Sequence, residues 1–373
     1  MKRKWYGLAL LAVSSMMAAG CSISGEAASK TVTLSNNVKL ESALDDSQLL
    51  IKHEATIPIE IKADYTGFKG NQLYFNQHDA TYLYDVESKN QKKVMSAPFY
   101  MLSEDEHRAL SHVNEKFYVH DLQNGTKKLI GEGPDEYLTY FGDSIGSKVI
   151  QVNYTSEEFS VEKTVLETDQ KYSWDMNELF DTSGSNGLTL NTFQSSDEGI
   201  YIVGKSIKEG FGLYHLLDNG DVEQVSSLEG ITSMDRFQFL DEQTIIFNDE
   251  YKGKTGIYTL NLSTGDVTQL VAGGKDKEGI WVPFYKLSPD KSKILFDTPV
   301  QVGKEYKTNV YVAEFVEGQL SKPTLLMQNA DLYAVISMTG YWSDDSSTAY
   351  ISTTVPGNDT INAIEVYSIQ SDK

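Results

Sequence analysis

Four Ser-x-Asp pairs stand out among the residues able to do chemistry: Ser103/Asp105, Ser195/Asp197, Ser288/Asp290 and Ser343/Asp345. Aspartates at matching places can ring a channel, where they would do acid–base work or hold a cation. They can equally hold tight turns, because Ser and Asp side chains bond nearby backbone N–H groups. Recurrence at equivalent positions favours the turn reading. The six histidines are scattered; His107 and His112 come closest and do not make His-Glu-x-x-His. There is no Gly-x-Ser-x-Gly elbow, P-loop or Gly-x-Gly-x-x-Gly. Carboxylates are abundant, 53 Asp+Glu against 32 Lys+Arg, so a glycosidase-type pair or a Ca²⁺ site has donors available. Nothing in the spacing selects which ones. No cofactor is expected, and Ca²⁺ is the one ion the acidity invites.

The net charge of −21 repels phosphates and excludes broad nucleic-acid binding. A single cysteine, Cys21, excludes an intrachain disulfide framework and a cysteine-rich zinc site. Lys2, Arg3 and Lys4 precede a short apolar run over 5–19, then Ala18-Ala19-Gly20-Cys21. That order is a targeting segment rather than a spanning helix. It resembles the lipobox of bacterial lipoproteins, with Ala18 where the pattern usually has Leu. The resemblance implies cleavage before Cys21, lipidation of its thiol, and residence on the outer side of a cytoplasmic membrane. Residues 1–20 are then a signal peptide, and 21–46 a lipidated tether. The mature charge is 29 − 53 = −24. Residues 47–373 form the folded domain.

A repeat runs through that domain. LSPDKSKILF (287–296) leads through a loop to NVYVAEF (309–315) and PTLLM (323–327). The same order recurs in seven units, anchored near Leu73, Ala109, Val149, Ile200, Ile245, Ile294 and Ala349. Each reads as four short strands, from its apolar–polar alternation and its β-branched and aromatic residues. Asn124-Gly125 and Asn219-Gly220 mark the turns before two of the fourth strands. Seven four-stranded units at this period predict an all-β, seven-bladed β-propeller. Six or eight blades are the alternatives, because the unit at 142–168 is weak and 169–192 is irregular. LSPDKSKILF resembles the Ser-Pro-Asp-Gly repeats of the Tol translocation protein and of WD40-like propellers, with Lys291 in place of Gly. Ser195-x-Asp197-x-Gly199 is similar to a sialidase Asp-box, as a single copy in a different hairpin.

The seventh unit runs out at Lys373 after its third strand. Residues 47–51 read like the fourth strands elsewhere, so they are predicted to close the last blade. Residues 57–66 are then predicted as the first inner strand, with Pro58 near its start.

Between second and third strands, the sequence predicts short loops in units one to three (76–80, 111–115, 153–157). It predicts longer ones in units four to seven (204–211, 248–255, 297–308, 352–362). All open on one face. Lys205, Lys208, Lys252, Lys254, Lys304 and Lys307 gather there, joined by Lys275 and Lys277 from the connection 272–280. Tyr251, Trp281 and Tyr306 are expected to add aromatic surface. This basic rim on an acidic chain suits an anionic partner, such as an anionic polysaccharide, lipid headgroups or an acidic patch on an envelope protein. Nearby Glu209, Asp249, Glu250, Asp276 and Glu305 offset part of the charge. The sequence therefore points to a membrane-anchored, non-catalytic binding scaffold. It leaves open a propeller enzyme, a glycan hydrolase or lyase, using channel carboxylates.

Overall fold

The computed structural model describes residues 32–33, 49–59, 64–69, 72–85, 88–103, 105–133, 138–154, 159–177, 190–196, 199–206, 210–231, 234, 236–276, 279–316, 318–331, 340–355 and 358–371. They form seven antiparallel blades around an axis, each built on four strands, with two further short strands joined to the sheet of blade six. The seven anchors all fall in second strands: Gln72–Gln77, Arg108–Val113, Lys148–Tyr154, Gly199–Ser206, Thr244–Tyr251, Lys293–Val302 and Thr348–Val355. Each anchor is buried. A second strand lies between two others of its own blade and between neighbouring blades, so apolar side chains are selected on both faces.

Seven buried clusters hold the ring, one at each junction. Between blades three and four, Phe159, Val161 and Trp174 pack on Ile200, Ile202 and Tyr214. Between the last blade and the first, Ile364 packs on Leu73, Phe75 and Tyr84. A twisted four-stranded sheet cannot bury both faces alone, and closure into a ring gives every face a neighbour.

The chain ends share blade seven, as expected. Leu49–Ile59 is its outer strand and pairs with Asn358–Ser371, from Leu49 opposite Ser371 to Ile59 opposite Asn362. Across this seam, His53 Nε2 lies 2.6 Å from Glu365 Oε2, and the Thr56 hydroxyl donates to the same oxygen at 2.7 Å. The seam runs further than the sequence suggested. Residues 57–59 belong to it, and the first inner strand is Asp64–Lys69 rather than 57–66. Pro58 therefore sits opposite Ala363 in an outermost strand, where a missing N–H is tolerated.

The Ser-x-Asp pairs are turn devices wherever they are described. The Ser288 hydroxyl donates to Asp290 Oδ1 at 2.6 Å and accepts from the Lys293 N–H at 2.9 Å. Ser103 and Asp105, and Ser343 and Asp345, repeat the arrangement. Burial pushes the Asp290 carboxyl up, but hydrogen bonds from Ser288, Ser292 and Ser346 outweigh it and bring the pKa down to about 2. Asp197 lies outside the described residues. The fourth residue of each turn adopts left-handed backbone: Glu106 at φ 60°, Lys291 at φ 57° and Ser346 at φ 59°. Lys291 occupies the place that is Gly in the repeats it resembles. A non-Gly residue there carries strain of about 1–2 kcal/mol. Lys291→Gly is therefore expected to raise the urea midpoint of unfolding, by about 0.5–1 kcal/mol of stability after the entropy of Gly is counted.

Candidate functional site

Lys205, Lys252, Lys254, Lys304 and Lys307 lie on strands or turns towards the face carrying the second-to-third-strand turns. The predicted long loops are not loops. In blade six, Lys293–Val302 and Glu305–Val316 stay paired from Lys293 opposite Glu314 out to Val302 opposite Glu305. In blade five, Thr244–Tyr251 and Lys254–Asn261 stay paired out to Tyr251 opposite Lys254. Two-residue turns cap them, Lys252 with Gly253 and Gly303 with Lys304. The inner strand of blade six, Tyr285–Leu287, pairs only with 294–296, so its hairpin rises well past it. Hydrophobic alternation marks paired strands but does not say where the inner strand stops; hence the loop reading.

Lys252, Lys254 and Lys304 are exposed at the tips. Lys307 stands opposite Val300, with its ammonium 3.8 Å from Glu305 Oε2. Lys205 is exposed on the second strand of blade four, opposite Phe211. Lys208 and Lys277 lie outside the described residues, as does Cys21. Tyr251 and Tyr306 are half-buried, and the Lys252 ammonium sits 4.8 Å over the Tyr251 ring. Trp281 is not surface at all, at 3 % exposed. It ends a small hairpin, Gly274–Asp276 with Gly279–Trp281, and its ring meets Phe284 edge-on at 6.4 Å. A bulky apolar ring beside the crossover into blade six is worth more as cover than as rim.

Beneath the tips, the sequence reading missed a recurrent latch. Three positions after four of the anchors stand Asn76, His112, Asn248 and Asp297. The Asn76 amide donates to Phe99 O at 2.6 Å and accepts from Phe99 N at 3.2 Å. Asn248 donates to Pro283 O at 3.0 Å, and the Phe284 N–H donates to Asp297 Oδ1 at 2.8 Å. Asn248 of blade five and Asp297 of blade six thus hold opposite sides of one peptide group. Each latch ties a crossover to a second strand. Asp297 is the one carboxyl among these four residues. Burial pushes its pKa up to about 7, against the pull of the Phe284 N–H and the Trp281 indole.

Five of the six histidines are engaged in structure. His112 Nε2 is 3.0 Å from Gly133 O, and its ring stacks on Phe117 at 4.0 Å. His120 Nε2 is 2.7 Å from the Ser111 hydroxyl, in a buried position. His215 stacks on Tyr201 at 4.5 Å, and His107 Nδ1 lies 3.1 Å from Asp105. Among the described residues, no group of three or more His, Cys, Asp or Glu side chains converges. An open cleft of about 470 Å³ between blades one and two is lined by Lys93, His120 and Lys127 beside Met95 and Leu122.

The ring geometry is shared with solved structures. The structure of U3-55K superposes with a TM-score of 0.51 at 10% identity, covering 84% of this chain and 98% of that one. A chain in the crystal structure of the mitotic checkpoint complex gives 0.51 at 10% identity, covering 88% and 94%. The fold is a WD40-like β-propeller. No protein-family model and no curated protein matches the sequence. At this identity the likeness extends to the propeller fold alone.

Proposed function

We propose that this propeller is a non-catalytic interaction scaffold, held at the extracytoplasmic surface of a bacterial membrane by lipid on Cys21. In this reading its hairpin face meets an anionic partner in the cell envelope. The observation that carries the scaffold reading is how the polar residues are used. The described Ser-x-Asp pairs close turns, while the exposed lysines project on paired hairpins. A rigid ring with protruding, charged hairpins is suited to holding partners in fixed positions. Propellers that superpose on this one occur in protein complexes, which supports the same reading.

The test is affinity capture from crosslinked, detergent-solubilised native membranes, with the purified full chain as bait. Reproducible retention of an envelope component, lost with Lys252→Glu, Lys254→Glu, Lys304→Glu and Lys307→Glu together, is the expected result. Retention unchanged by the four reversals would remove the hairpin face from the function. In parallel, Cys21→Ala is expected to move the protein out of the membrane fraction.

A further inference from the structure

Within the segment expected to be a tether, Val32–Thr33 is a strand. Val32 pairs with Gln301, and Thr33 with Val300. It adds to the edge of the blade-six hairpin that the short inner strand leaves unpaired. This is strand addition, in which backbone hydrogen bonds supply the affinity. It places the N-terminal arm on the hairpin face, two or three residues from the turn at Gly303 and Lys304. The outer strand of blade seven, by contrast, begins at Leu49 on the opposite face, where the third-to-fourth-strand turns lie. From Cys21 to Val32 the chain advances 11 positions, which reach at most about 37 Å. A lipid on Cys21 would therefore be tethered from the hairpin face of blade six, at most about 37 Å from it.

The turns themselves divide by charge around the ring. The two-residue turns of blades one and two are His78 with Asp79 and Asn114 with Glu115. Those of blades five and six are Lys252 with Gly253 and Gly303 with Lys304. The turn residues themselves are acidic in one sector and basic in the other, with Lys116 flanking Glu115, and Asp249, Glu250 and Glu305 flanking the lysines. The basic sector is the one where the arm docks.

We infer that the blade-five and blade-six hairpins face the bilayer, with Lys252, Lys254, Lys304 and Lys307 against anionic lipid headgroups. This rests on the lipid-anchor reading and names the anionic partner of the hairpin face. The surface potential of an anionic leaflet attracts each nearby lysine and falls off within a Debye length. The acidic tips of blades one and two are repelled, so the ring is tilted, with its basic sector down. The docked arm raises the local concentration of these lysines at the surface once the acyl chains are inserted.

The experiment uses the full chain, processed and lipidated in a bacterial host and reconstituted into vesicles. Cys21 is the only cysteine, and lipidation blocks its thiol, so an introduced cysteine takes a dye selectively. Val302→Cys reports the hairpin face, and Ser263→Cys reports a turn of blade five on the opposite face. Energy transfer is measured to a headgroup-labelled acceptor in vesicles of phosphatidylglycerol with phosphatidylcholine. The faces are separated by about 20 Å of strand, so transfer from 302 is expected to exceed that from 263 about twofold. The difference is expected to disappear with Lys252→Glu and Lys304→Glu together, and in pure phosphatidylcholine. Flotation with the vesicles but equal or reversed transfer overturns the orientation and leaves the anchor standing. Persistence of the difference in neutral vesicles overturns the headgroup contact. Failure of the chain to float with vesicles at all overturns the anchor, and the orientation with it.

Discussion

Removal of Leu49–Ile59 is expected to abolish cooperative folding of the whole ring, not only of blade seven. The strand makes ten residue pairings with Asn358–Ser371 and buries Leu49 against the last blade. It also carries Ile57 into the cluster that joins blade seven to blade one. Backbone hydrogen bonds contribute about 1 kcal/mol each net, and each buried aliphatic side chain about 1.5–3 kcal/mol. The sum is comparable to the whole net stability of a domain, about 5–15 kcal/mol. The full chain lacking 49–59 is therefore expected to show no cooperative urea transition by near-ultraviolet dichroism, and to be cut rapidly by protease within blades one and seven. A native-like transition in the deletion variant would mean that the ring does not depend on this seam. The milder variant Glu365→Ala leaves His53 and Thr56 without their shared acceptor, and is expected to lower stability by about 1–3 kcal/mol.

The second large effect belongs to Asp297. Its carboxyl is 3 % exposed, and its pKa is raised to about 7 by burial. The unfolded chain has its ordinary acidity. Between the unfolded value and about 7, the folded protein keeps the proton that the unfolded chain releases. Stability from this group is therefore fully present below the unfolded pKa and declines as pH rises toward 7. A shift of about three units corresponds to an upper bound of about 4 kcal/mol. Asp297→Asn keeps an oxygen to accept the Phe284 N–H and removes the titration. It restores the residue type that Asn76 and Asn248 already supply in blades one and five. The variant is expected to be more stable than the parent above pH 7 and to have a flatter stability profile between pH 4 and 7. The measurement is a series of urea unfolding curves across pH. Parallel profiles for the two proteins would show that Asp297 does not set the slope.

These effects also show where the sequence was legible. The anchors and the seam could be read because burial on both faces imposes apolar residues at a fixed place in each blade. Ser288 and Asp290 could be read because their turn chemistry is local and repeats. The end of the seam was less visible. Pairing to Ile59 depends on the length of Asn358–Ser371, which is distant in sequence. Trp281 was misplaced for a related reason. A lone aromatic in a crossover gives no periodicity, and only the folded ring shows the crossover lying against Asp297. The latch had a usable signal, a polar residue three places after the anchors, hidden by its change of type among Asn76, His112 and Asp297.

The proposed partner face was legible as a cluster of lysines but not as a geometry. Lys252 and Lys304 lie 52 positions apart and belong to adjacent hairpins only because the blades are consecutive. The pairing of Val32–Thr33 with blade six had no signal in two residues of ordinary strand type.

The central claim is that a closed ring presents function on its hairpin tips. The most direct measurement is equilibrium binding of the full chain to purified envelope fragments, comparing the parent with the four-lysine reversal at 252, 254, 304 and 307. The two proteins are expected to melt at closely similar temperatures, because Lys252, Lys254 and Lys304 are exposed and the half-buried Lys307 gives up an ion pair with the exposed Glu305. Binding is expected to fall about tenfold or more, and the parent's binding to weaken with added salt. Equal binding by the two proteins, at equal melting temperature, would contradict the claim and move the function to another surface of the ring.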